Sequence, residues 1–376
     1  IHISATIYNY KKLFKIVTDY CIKNNIDFKF LSNLNAFKVM NGKSINRVNA
    51  GKFIVIYPRE GTILDVLEDI YKKTKKFEGP YIITDRRYKQ SKVLHYRYGE
   101  YRPIAIRTEK GMIGHFVKDK NKKIFKDIRV PYYYLPDWVE DLPVEKFQTS
   151  QSEFLTEYSV ISAIHFSASG GVYKVKNLKV EFFIAKEARA YSGIDNEGVY
   201  GTERLKRELN FLIKLEKSGI TPKVFDWIED FGNYYLIEEE IKGTTVREFI
   251  YRLNPLLSLE EDSKIISNYY KTALIILEQM IDKLKIIHEH KIILSDISDN
   301  NIIVENLDNK NFSEEDINIR FIDLEHSLFS FENDDSRVQT PGFNSSYKNH
   351  YKRDYDKIMS LGLAMLFPLN TLYDLD

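Results

Sequence analysis

The sequence predicts an α+β fold in two domains, residues 1–150 and residues 151–376. Strand-like runs alternate with helical periodicity in the first half, whereas the second half places its strands first and its helices later. The two halves carry opposite net charge, and a segment rich in aromatic residues and proline joins them. At 376 residues the chain is long enough for two domains that each bury a core.

The first half contains two amphipathic helices and three strand-like runs. Apolar residues recur at helical spacing over residues 5–25 and again from Thr62 to Tyr71. The runs DFKFL, GKFIVIYP and GPYIITD have strand composition, and the last two are bounded by Gly and Pro. In the connector, PYYYLPDWVEDLP, prolines interrupt regular structure while the aromatic rings need a surface to pack on. We therefore place the domain boundary near residues 145–155.

The second half opens with the strand-like segments FSASGGVYKVKN and EFFIAKEA. A helix from Glu203 to Lys217 follows, and then two more strand-like runs, KVFDWIED and NYYLIEEEI. A long helix is predicted from Glu261 to His290. This order is typical of a two-lobed protein-kinase-like domain.

Charge and composition limit the classes of function. The net charge of +1 hides a split, because residues 1–150 carry 29 Lys and Arg against 16 Asp and Glu, and the remaining residues carry 26 against 38. A basic domain attracts phosphate groups, nucleic acid or acidic peptides, although the two halves could simply attract each other. The single cysteine, Cys21, excludes an internal disulfide framework and favours a reducing, cytoplasmic location. The sequence has no apolar run long enough for a membrane span and no signal-peptide pattern.

The stretch LSDISDNNIIV has the spacing of a kinase catalytic loop. Asp296 would orient a substrate hydroxyl, and Asn301, five residues later, would hold a metal ion. Asp323, in RFIDLEHS, follows a strand-like run and would hold Mg²⁺. The His-Arg pair that usually precedes the aspartate is replaced by Leu294-Ser295, which changes a scaffold contact and leaves the metal and base chemistry intact.

Nucleotide-binding residues are expected upstream of this loop. Glycines allow the backbone to approach phosphates, and Ser169, Gly170 and Gly171 lie between two strand-like runs. Lys186 lies in the next strand within FIAKEA, like a phosphate-contacting lysine. Glu208, on the following helix, would pair with Lys186, and we assign Glu239 to the nucleotide site as well. The expected cofactors are ATP or GTP, with Mg²⁺.

Each of these residues alone has a simpler structural explanation as a turn, a cap or a solvated charge. The occurrence of all of them in order, at kinase-like separations, favours phosphotransfer. Two rival interpretations stay open. One is a small-molecule phosphotransferase with an accessory basic domain, and the other is a pseudokinase joined to a phosphopeptide-binding module.

The motifs of both halves resemble those of class III lanthionine synthetases, bacterial multidomain enzymes that modify ribosomal peptides. The resemblance covers essentially the whole chain. In the first half it rests on FKFL (28–31), GKFIVIYP (51–58), GPYIITDRRY (79–88) and HYRYG (95–99). In the second half it rests on SGGVY, KEAR, SDISDNNI, FIDLEHS, TPGF (340–343) and LFPLNTLYDLD at the end.

The resemblance implies a phosphothreonine-lyase-like α+β domain followed by the kinase-like domain. The kinase would phosphorylate Ser or Thr of a precursor peptide, and the lyase would expel the phosphate to leave dehydroalanine or dehydrobutyrine. The family's cyclase domain is missing from this chain, and we expect the helical lobe of the kinase to be cut short as well. The partners implied are a precursor peptide with a helical leader and, as an open alternative, a second copy in a homodimer, without nucleic acid or membrane.

The resemblance also assigns residues to the elimination step. Lys52, in GKF, matches the position of the base, and a buried cationic neighbourhood would lower its pKa enough for that role. Phosphate would be held by Lys29, Arg86, Arg87 and Arg97, since Arg in particular grips phosphate with two hydrogen bonds. Related lyases carry a histidine just after the first lysine motif, where this chain has Phe30 and Leu31. His95 is the nearest substitute for the general acid, with His115 as an alternative.

Overall fold

The computed structural model describes residues 1–99, 104–107, 113–119, 121–144, 151–307, 317–332, 340, 342–343 and 345–368, without the side chains of residues 104–106 and 113–115. Several segments named from the sequence therefore lie outside the described residues. They are the side chain of His115, Pro341 of TPGF, and residues 369–376 of the final motif. Every helix in the described part of the chain is too short or too polar to cross a membrane.

The N-terminal half contains a five-stranded antiparallel sheet and three helices. The strands are β1 (His2–Ile3), β2 (Asp27–Phe30), β3 (Ile54–Tyr57), β4 (Arg86–Arg87) and β5 (Leu94–Tyr96). The helices are α1 (Tyr10–Lys23), α2 (Leu34–Asn41) and α3 (Ile63–Thr74). The strand order is β2-β3-β1-β5-β4, so the two-residue strand β1 lies at the centre of the sheet.

One face of this sheet is apolar and forms the core of the N-terminal half. Ile3 pairs with Ile54 on one side and with Leu94 on the other, and all three are completely buried. They cluster with apolar residues of α1 and α3, including Leu13 and Leu67. Because successive side chains of a strand point to opposite faces, the neighbours of these residues must lie on the other face, away from the core.

A second, three-stranded antiparallel sheet and the connector complete this half. Its strands are β6 (Ile104–Arg107), β7 (Ile113–Lys118) and β8 (Ile124–Lys126), in that order. The connector has no regular helix or strand among its described residues, as the prolines predict. The ring of Trp138 lies 5.4 Å from that of Tyr98 and 5.5 Å from that of Phe125, so the aromatic connector does pack on the N-terminal half.

The second half begins with a short helix and another five-stranded antiparallel sheet. The helices are α4 (Glu153–Glu157) and α5 (Gly201–Leu215). The strands are β9 (Tyr158–Phe166), β10 (Gly171–Asn177), β11 (Phe182–Ala188), β12 (Val224–Asp230) and β13 (Asn233–Glu239), in the order β12-β13-β11-β10-β9. Helix α5 contacts β11 and β13, which brings its side chains towards one face of this sheet.

The remaining residues are mainly helical and surround a large apolar core. The helices are α6 (Val246–Leu253), α7 (Pro255–Ser258), α8 (Ser263–Glu289) and α9 (His350–Leu366). The short strands are β14 (Thr244–Thr245), β15 (Ile292–Ile293), β16 (Ile302–Glu305), β17 (Asn318–Phe321) and β18 (Leu328–Phe329). Strands β16 and β17 form an antiparallel pair whose apolar residues join the core around α8 and α9.

The predicted elements agree with the observed ones, with some exceptions. The mixed helix and sheet composition expected of an α+β fold is confirmed, whereas the run GPYIITD, expected to be a strand, is an irregular turn before β4. A Cβ on Gly79 would lie 2.7 Å from the Ser4 hydroxyl, and Pro80 lacks an N–H for a strand ladder. The first helix begins at Tyr10, because residues 2–3 are used as the central strand.

The two halves contact each other directly. The backbone N–H of Ile7 donates to the hydroxyl of Tyr200 at 2.8 Å, and the N–H of Ile194 donates to the carbonyl of Asn41 at 3.0 Å. Their apolar cores are separate, one drawn from residues 1–96 with Leu142 and Val144 packed against it, and the others from residues 154–365.

Candidate active sites

The first candidate site lies where β15 and β17 end and β16 begins. Asp296 and Asn301 occupy the loop between β15 and β16, and Asp323 follows β17. The Asn301 amide donates to the Asp296 carbonyl at 3.1 Å, and the Ile322 N–H donates to the Asn301 carbonyl at 2.9 Å. The three side chains line one small cavity, so the structure brings together the residues that the sequence spacing singled out.

The loop that carries Asp296 is anchored by two buried residues of α9. The carboxylate of Asp354 accepts hydrogen bonds from the backbone N–H groups of Leu294, at 2.9 Å, and Ser295, at 3.1 Å. It also contacts Nε2 of His288 at 3.0 Å. The ammonium of Lys357 donates to the Ser295 carbonyl. These contacts reach backbone atoms of residues 294 and 295, so they do not depend on a His-Arg pair.

A hydroxyl already lies against the carboxylate of Asp296. The hydroxyl of Thr340 donates to its Oδ1 at 2.6 Å. Thr340 belongs to the TPGF motif, far along the chain from the loop. The contact demonstrates that the Asp296 carboxylate can accept a hydrogen bond from a threonine side chain, which is the interaction that a general base needs.

Lys186 of β11 forms a buried ion pair with Glu208 of α5. The distance between Nζ and Oε1 is 2.6 Å, and the Glu208 side chain is 1% exposed. The same Oε1 accepts a hydrogen bond from the backbone N–H of Leu324 at 3.0 Å, directly after Asp323. Glu208 therefore connects Lys186 to the loop of the proposed metal ligand.

A second carboxylate, Glu238 of β13, also contacts Lys186, at 3.2 Å from Nζ to Oε1. Its Oε2 is buried without a hydrogen-bond partner among the described residues. Burial lowers the pKa of Lys186, but Glu208, Glu238 and Asp323 outweigh it and raise the pKa well above its usual value. Burial in turn raises the pKa of Glu208 to about 7 and raises that of Glu238, so a cation beside this cluster would stabilise their charged forms.

Glu239 and Glu238 have different surroundings, although they are adjacent. The carboxylate of Glu239 pairs with Arg320 at 2.8 Å and accepts from the Lys223 N–H at 3.1 Å, away from Lys186. Glu238 is therefore the functional candidate missed in the sequence. Adjacent side chains of a strand point to opposite faces, so only one of the two glutamates can point to Lys186. This alternation could have identified Glu238 as a candidate.

The glycine turn between β9 and β10 is packed closely against β11. A Cβ added to Gly170 would lie 1.9 Å from the Glu187 carbonyl, so this position requires glycine. The Ser169 carbonyl accepts from the Arg189 N–H at 2.7 Å, and the Ser169 hydroxyl contacts that of Ser167 at 2.8 Å. Gly171 starts β10, whose next residue, Val172, pairs directly with Lys186.

The donor set of this site fits Mg²⁺ held jointly with a nucleotide. Asn301 and Asp323 offer an amide oxygen and a carboxylate, the hard oxygen ligands that Mg²⁺ prefers. Groups of three or more His, Cys, Asp or Glu side chains that could hold a metal are absent from the described part of the chain.

The second candidate site is a cavity of about 320 Å³ on the polar face of the N-terminal sheet. Sheet register places five residues of β2, β3, β1, β5 and β4 in one transverse row. They are Lys29, Val55, His2, His95 and Arg87, each directly opposite the next. Lys29, Val55 and His2 line the cavity, while His95 and Arg87 lie one and two strands beyond His2.

Lys52 enters this cavity from the turn before β3. Its ammonium donates to the Val48 carbonyl at 2.6 Å. Burial lowers the pKa of Lys52 to about 8, with Arg97, Arg129 and Lys29 lowering it further and Asp85 opposing the shift. A lysine with this pKa is partly neutral at physiological pH, so it can accept a proton.

His2 is a candidate that sequence reasoning missed. It lines the cavity, and its Nδ1 contacts the buried carboxylate of Asp85. Burial lowers the pKa of His2 to about 4, although Asp85 opposes the shift. Burial also raises the pKa of Asp85, but His2 and Lys52 outweigh it and hold that pKa well below its usual range. The pairing directs Nδ1 to Asp85 and leaves Nε2 as the ring nitrogen available to a ligand.

His95 is completely buried beside His2. Neither of its ring nitrogens has a hydrogen-bond partner within the described residues, and burial lowers its pKa to about 3. Its ring lies 5.4 Å from that of Tyr81. His95 is thus separated from the cavity by one strand, whereas the predicted role of general acid requires contact with the leaving group.

The expected phosphate-binding cations divide into two groups. Lys29 and Arg97 line the cavity, together with Arg129, which the sequence analysis did not single out. Arg97 and Arg129 share the carboxylate of Asp127, at 3.6 and 2.8 Å. Arg86 pairs with Asp141 and lies over the ring of Tyr133 at 4.2 Å.

Arg87 lies over the ring of Tyr81 at 5.2 Å, on the side of the row away from Lys29. The structure therefore brings Lys29, Lys52 and Arg97 together and leaves Arg86 and Arg87 at the far edge of the sheet. Their assignment to phosphate binding stays a prediction.

Comparison with known proteins shows similarity over both halves of the chain. Residues 1–153 match the family described as RamC, N-terminal domain. The chain is 25% identical to a probable SapB synthase of Streptomyces coelicolor over 383 aligned positions, which cover 100% of this chain and 40% of the relative. It is also 26% identical over 153 residues to the serine/threonine-protein kinase PrkC of Bacillus subtilis, covering 40% of this chain and 21% of that protein.

The chain spans less than half the length of each of these relatives. The two matches are to a synthase and to a kinase, and the family match ends close to the boundary expected from composition. Residues 1–153 are thus similar to the RamC N-terminal domain, and the chain as a whole is homologous to a probable SapB synthase.

Proposed function

We propose that this chain phosphorylates Ser or Thr of a precursor peptide and then eliminates the phosphate to give dehydroalanine or dehydrobutyrine. The observation that carries the proposal is Lys52, a lysine of lowered pKa in a cavity lined by Lys29, Arg97 and Arg129. A phosphotransferase alone has no need of a base among phosphate-binding cations. The homologous synthase and kinase support the combination of the two activities.

In the phosphorylation step, Asp296 would accept a hydrogen bond from the substrate hydroxyl and orient it. The observed contact with Thr340 supports this role. Lys186, fixed by Glu208 and Glu238, would hold phosphate oxygens, and Asn301 and Asp323 would hold Mg²⁺. ATP or GTP, when bound with Mg²⁺, supplies the phosphoryl group. The proposed arrangement is that of a two-lobed kinase, in which β9 to β13 with α5 would form one lobe and the later helices the other.

In the elimination step, neutral Lys52 would remove the proton on Cα of the phosphorylated residue. The electron pair of that C–H bond forms the Cα=Cβ double bond, and the Cβ–O bond breaks with its electrons on the phosphate. Lys29, Arg97 and Arg129 would stabilise the charge that develops on the leaving group. We assign proton donation to His2 rather than to His95, because His2 lines the cavity.

The low pKa of His2 is compatible with an acid role once phosphate is bound. A phosphate dianion beside the ring favours the imidazolium form and raises its pKa. Asp85, paired with Nδ1, stabilises the same form. His2 would then be protonated when a substrate occupies the cavity and neutral when the cavity is empty.

The partners belong to the same proposal. The substrate would be a ribosomal precursor peptide whose helical leader docks away from both sites, and a cyclase domain would act on the dehydrated product. Membrane and nucleic acid have no role in it, and a homodimer stays open. The homologous synthase supports this class of reaction.

Mass spectrometry of a candidate precursor peptide tests the proposal. With ATP or GTP and Mg²⁺, we expect first a gain of one phosphate and then a net loss of one water per modified residue. Asp296→Asn should abolish phosphorylation yet still dehydrate a synthetic phosphopeptide. Lys52→Ala should do the reverse and accumulate phosphopeptide. Dehydration by Lys52→Ala at the wild-type rate would exclude Lys52 as the base.

The two rival functions predict different results. A small-molecule phosphotransferase would leave the peptide unmodified and turn over nucleotide with a sugar or an amine. A pseudokinase joined to a phosphopeptide-binding module would bind nucleotide without transfer, and Asp296→Asn would have no effect. The match to a serine/threonine-protein kinase and the match to a synthase favour the peptide substrate over both rivals.

A further inference from the structure

Lys43 of the N-terminal half contacts the phosphotransfer site in two places. Its side chain pairs with the carboxylate of Glu325, which lies two residues after Asp323. Its backbone carbonyl accepts a hydrogen bond at 3.3 Å from the N–H of Ala168, in the glycine turn. One residue, placed just after α2, therefore touches both the proposed metal-binding loop and the proposed phosphate-binding turn.

The Glu325 side chain joins three elements and is only 15% exposed. Besides Lys43, its carboxylate contacts Nε of Arg204 at 3.7 Å and Nε2 of His326 at 3.2 Å. Arg204 lies on α5, four residues before Glu208, and donates to the Gly193 carbonyl at 2.7 Å. Glu325 thus ties the loop after β17 to the helix that supplies Glu208 and to the N-terminal half.

These groups are charged together. Burial raises the pKa of Glu325, but His326 and Lys43 outweigh it and hold that pKa well below its usual range. Burial lowers the pKa of Lys43, but the carboxylates of Glu325 and Asp323 outweigh it and raise that pKa. The same carboxylates raise the pKa of His326 against its burial. Removing the Lys43 ammonium would leave negative charge concentrated beside Asp323.

The backbone at Asp323 adds a reason why this support matters. Its φ of 60° lies in the left-handed region, which costs free energy for a residue with a side chain. Such a conformation persists when its surroundings hold it in place. The neighbouring contacts are the Leu324 N–H on Glu208 and the Glu325 carboxylate on Arg204 and Lys43.

We infer that Lys43 is a positioning residue that the N-terminal domain supplies to the phosphotransfer site, holding the Asp323 loop against α5. The activity assay for this inference rests on the proposed function. The positioning role of Lys43 rests on its contacts with Glu325 and Ala168. Phosphorylation would then depend on the N-terminal domain, because that domain holds the Asp323 loop in place. Elimination would not depend on the kinase-like half in the same way.

The experiment compares Lys43→Met with Lys38→Met in the full chain. Lys38 is the matched control, because its ammonium also crosses to the second half, where it donates to the Asn196 carbonyl away from the site. We expect Lys43→Met to slow peptide phosphorylation by about tenfold or more, since it removes a cation from the Glu325 carboxylate, which is largely buried and two residues from Asp323. Lys38→Met should stay within about twofold of wild type, since its ammonium contacts a neutral backbone carbonyl away from the site.

A charge series separates positioning from simple packing. Lys43→Arg should retain most of the activity, Lys43→Met should lose it, and Lys43→Glu should be slowest because two carboxylates would face each other. Elimination from a synthetic phosphopeptide should be unchanged in all three. A parallel loss of elimination, or a ranking that follows side-chain volume instead of charge, would overturn the inference.

Hydrogen exchange gives a measure that does not need a substrate. The Leu324 N–H, which donates to Glu208, should exchange faster in Lys43→Met than in Lys38→Met or wild type. If wild type transfers no phosphate to any peptide, the proposed function fails, and the exchange comparison still decides the role of Lys43. Equal exchange at Leu324 in the two variants would refute that role.

Discussion

The carboxylate of Asp354 lies 2.9 Å from the backbone nitrogen of Leu294, and the same carboxylate accepts from the next N–H along the chain. The loop that carries Asp296 is therefore held by its backbone. A side chain at position 294 has another task here, because Leu294 is 6% exposed and belongs to the large apolar core. The loop therefore does not need a His-Arg pair, because Asp354 holds its backbone and the Leu294 side chain packs in the core.

Asp354→Ala should destabilise the protein and abolish phosphorylation. It leaves two backbone N–H groups and the His288 ring without their buried acceptor, and breaking such a network costs about 3–5 kcal/mol. Denaturant unfolding measures the loss. Asp356→Ala, at a partly exposed position on the same helix, is the control and should change stability by less than about 0.5 kcal/mol.

Restoring the usual motif with Leu294→His and Ser295→Arg should lower stability and should not increase the phosphorylation rate. The histidine would place a polar ring in an apolar site, which costs about 1–3 kcal/mol. The melting temperature and the single-turnover rate with peptide check this pair. A faster enzyme would mean that Leu294-Ser295 weakens the site.

Elimination from a pre-phosphorylated peptide should become faster as the pH rises through about 8. Lys52 acts as a base only when neutral, and burial lowers its pKa to about 8, so the reactive fraction grows up to that pH and then levels off. The Asp296→Asn variant is suited to this assay, because we expect it to phosphorylate no other residue of the peptide during the measurement. A rate that is flat between pH 6 and pH 9, with substrate saturating, would contradict a lysine base.

Arg129→Gln should move that pH profile towards higher pH. The Arg129 cation lowers the pKa of Lys52, so its removal raises the pKa and reduces the neutral fraction at pH 7. Arg59→Gln is the matched control, because Arg59 is exposed and donates to the Asn25 carbonyl. An equal shift in both variants would indicate an effect of net charge alone. No shift in Arg129→Gln would show that Arg129 does not affect the pKa of Lys52.

Inorganic phosphate should raise the pKa of His2 from its low value of about 4. The anion in the cavity favours the imidazolium form, and NMR titration of the His2 ring with and without phosphate measures the difference. Asp85→Asn should lower the pKa further, because the Asp85 carboxylate raises it. A titration that phosphate leaves unchanged would place the anion elsewhere and argue against His2 as the proton donor.

Much of the second half could be predicted because its signals are local. Helical periodicity gave α5 and α8 to within two residues at each end, and the spacing of Asp296, Asn301 and Asp323 gave one site. Lys186 and Glu208 could be paired because both belong to regular elements. Glu238, which contacts the lysine, was missed because composition does not reveal which face of β13 points to it.

The first half was harder, because its cavity depends on which strands are neighbours. His2 lies between Val55 and His95 only through the pairing of β1 with β3 and β5, which are distant in sequence. Arg129 comes from beyond another sheet and meets Arg97 at Asp127. The hydrogen bond from the Leu294 N–H to Asp354 is likewise a long-range contact that no local motif predicts.

The transverse row of the N-terminal sheet has a consequence for how this enzyme can diversify. The polar positions come from strands, and the turns between those strands contribute little to the row itself. Insertions into the turns would reshape the rim of the cavity and leave the row in place, except before β3, where an insertion would displace Lys52. A one-residue slip of a strand would instead exchange Lys29 or His2 for apolar neighbours such as Phe30 or Ile3. Substrate range can therefore drift through the lengths of the other loops, while Lys29 and His2 stay tied to the register of the sheet.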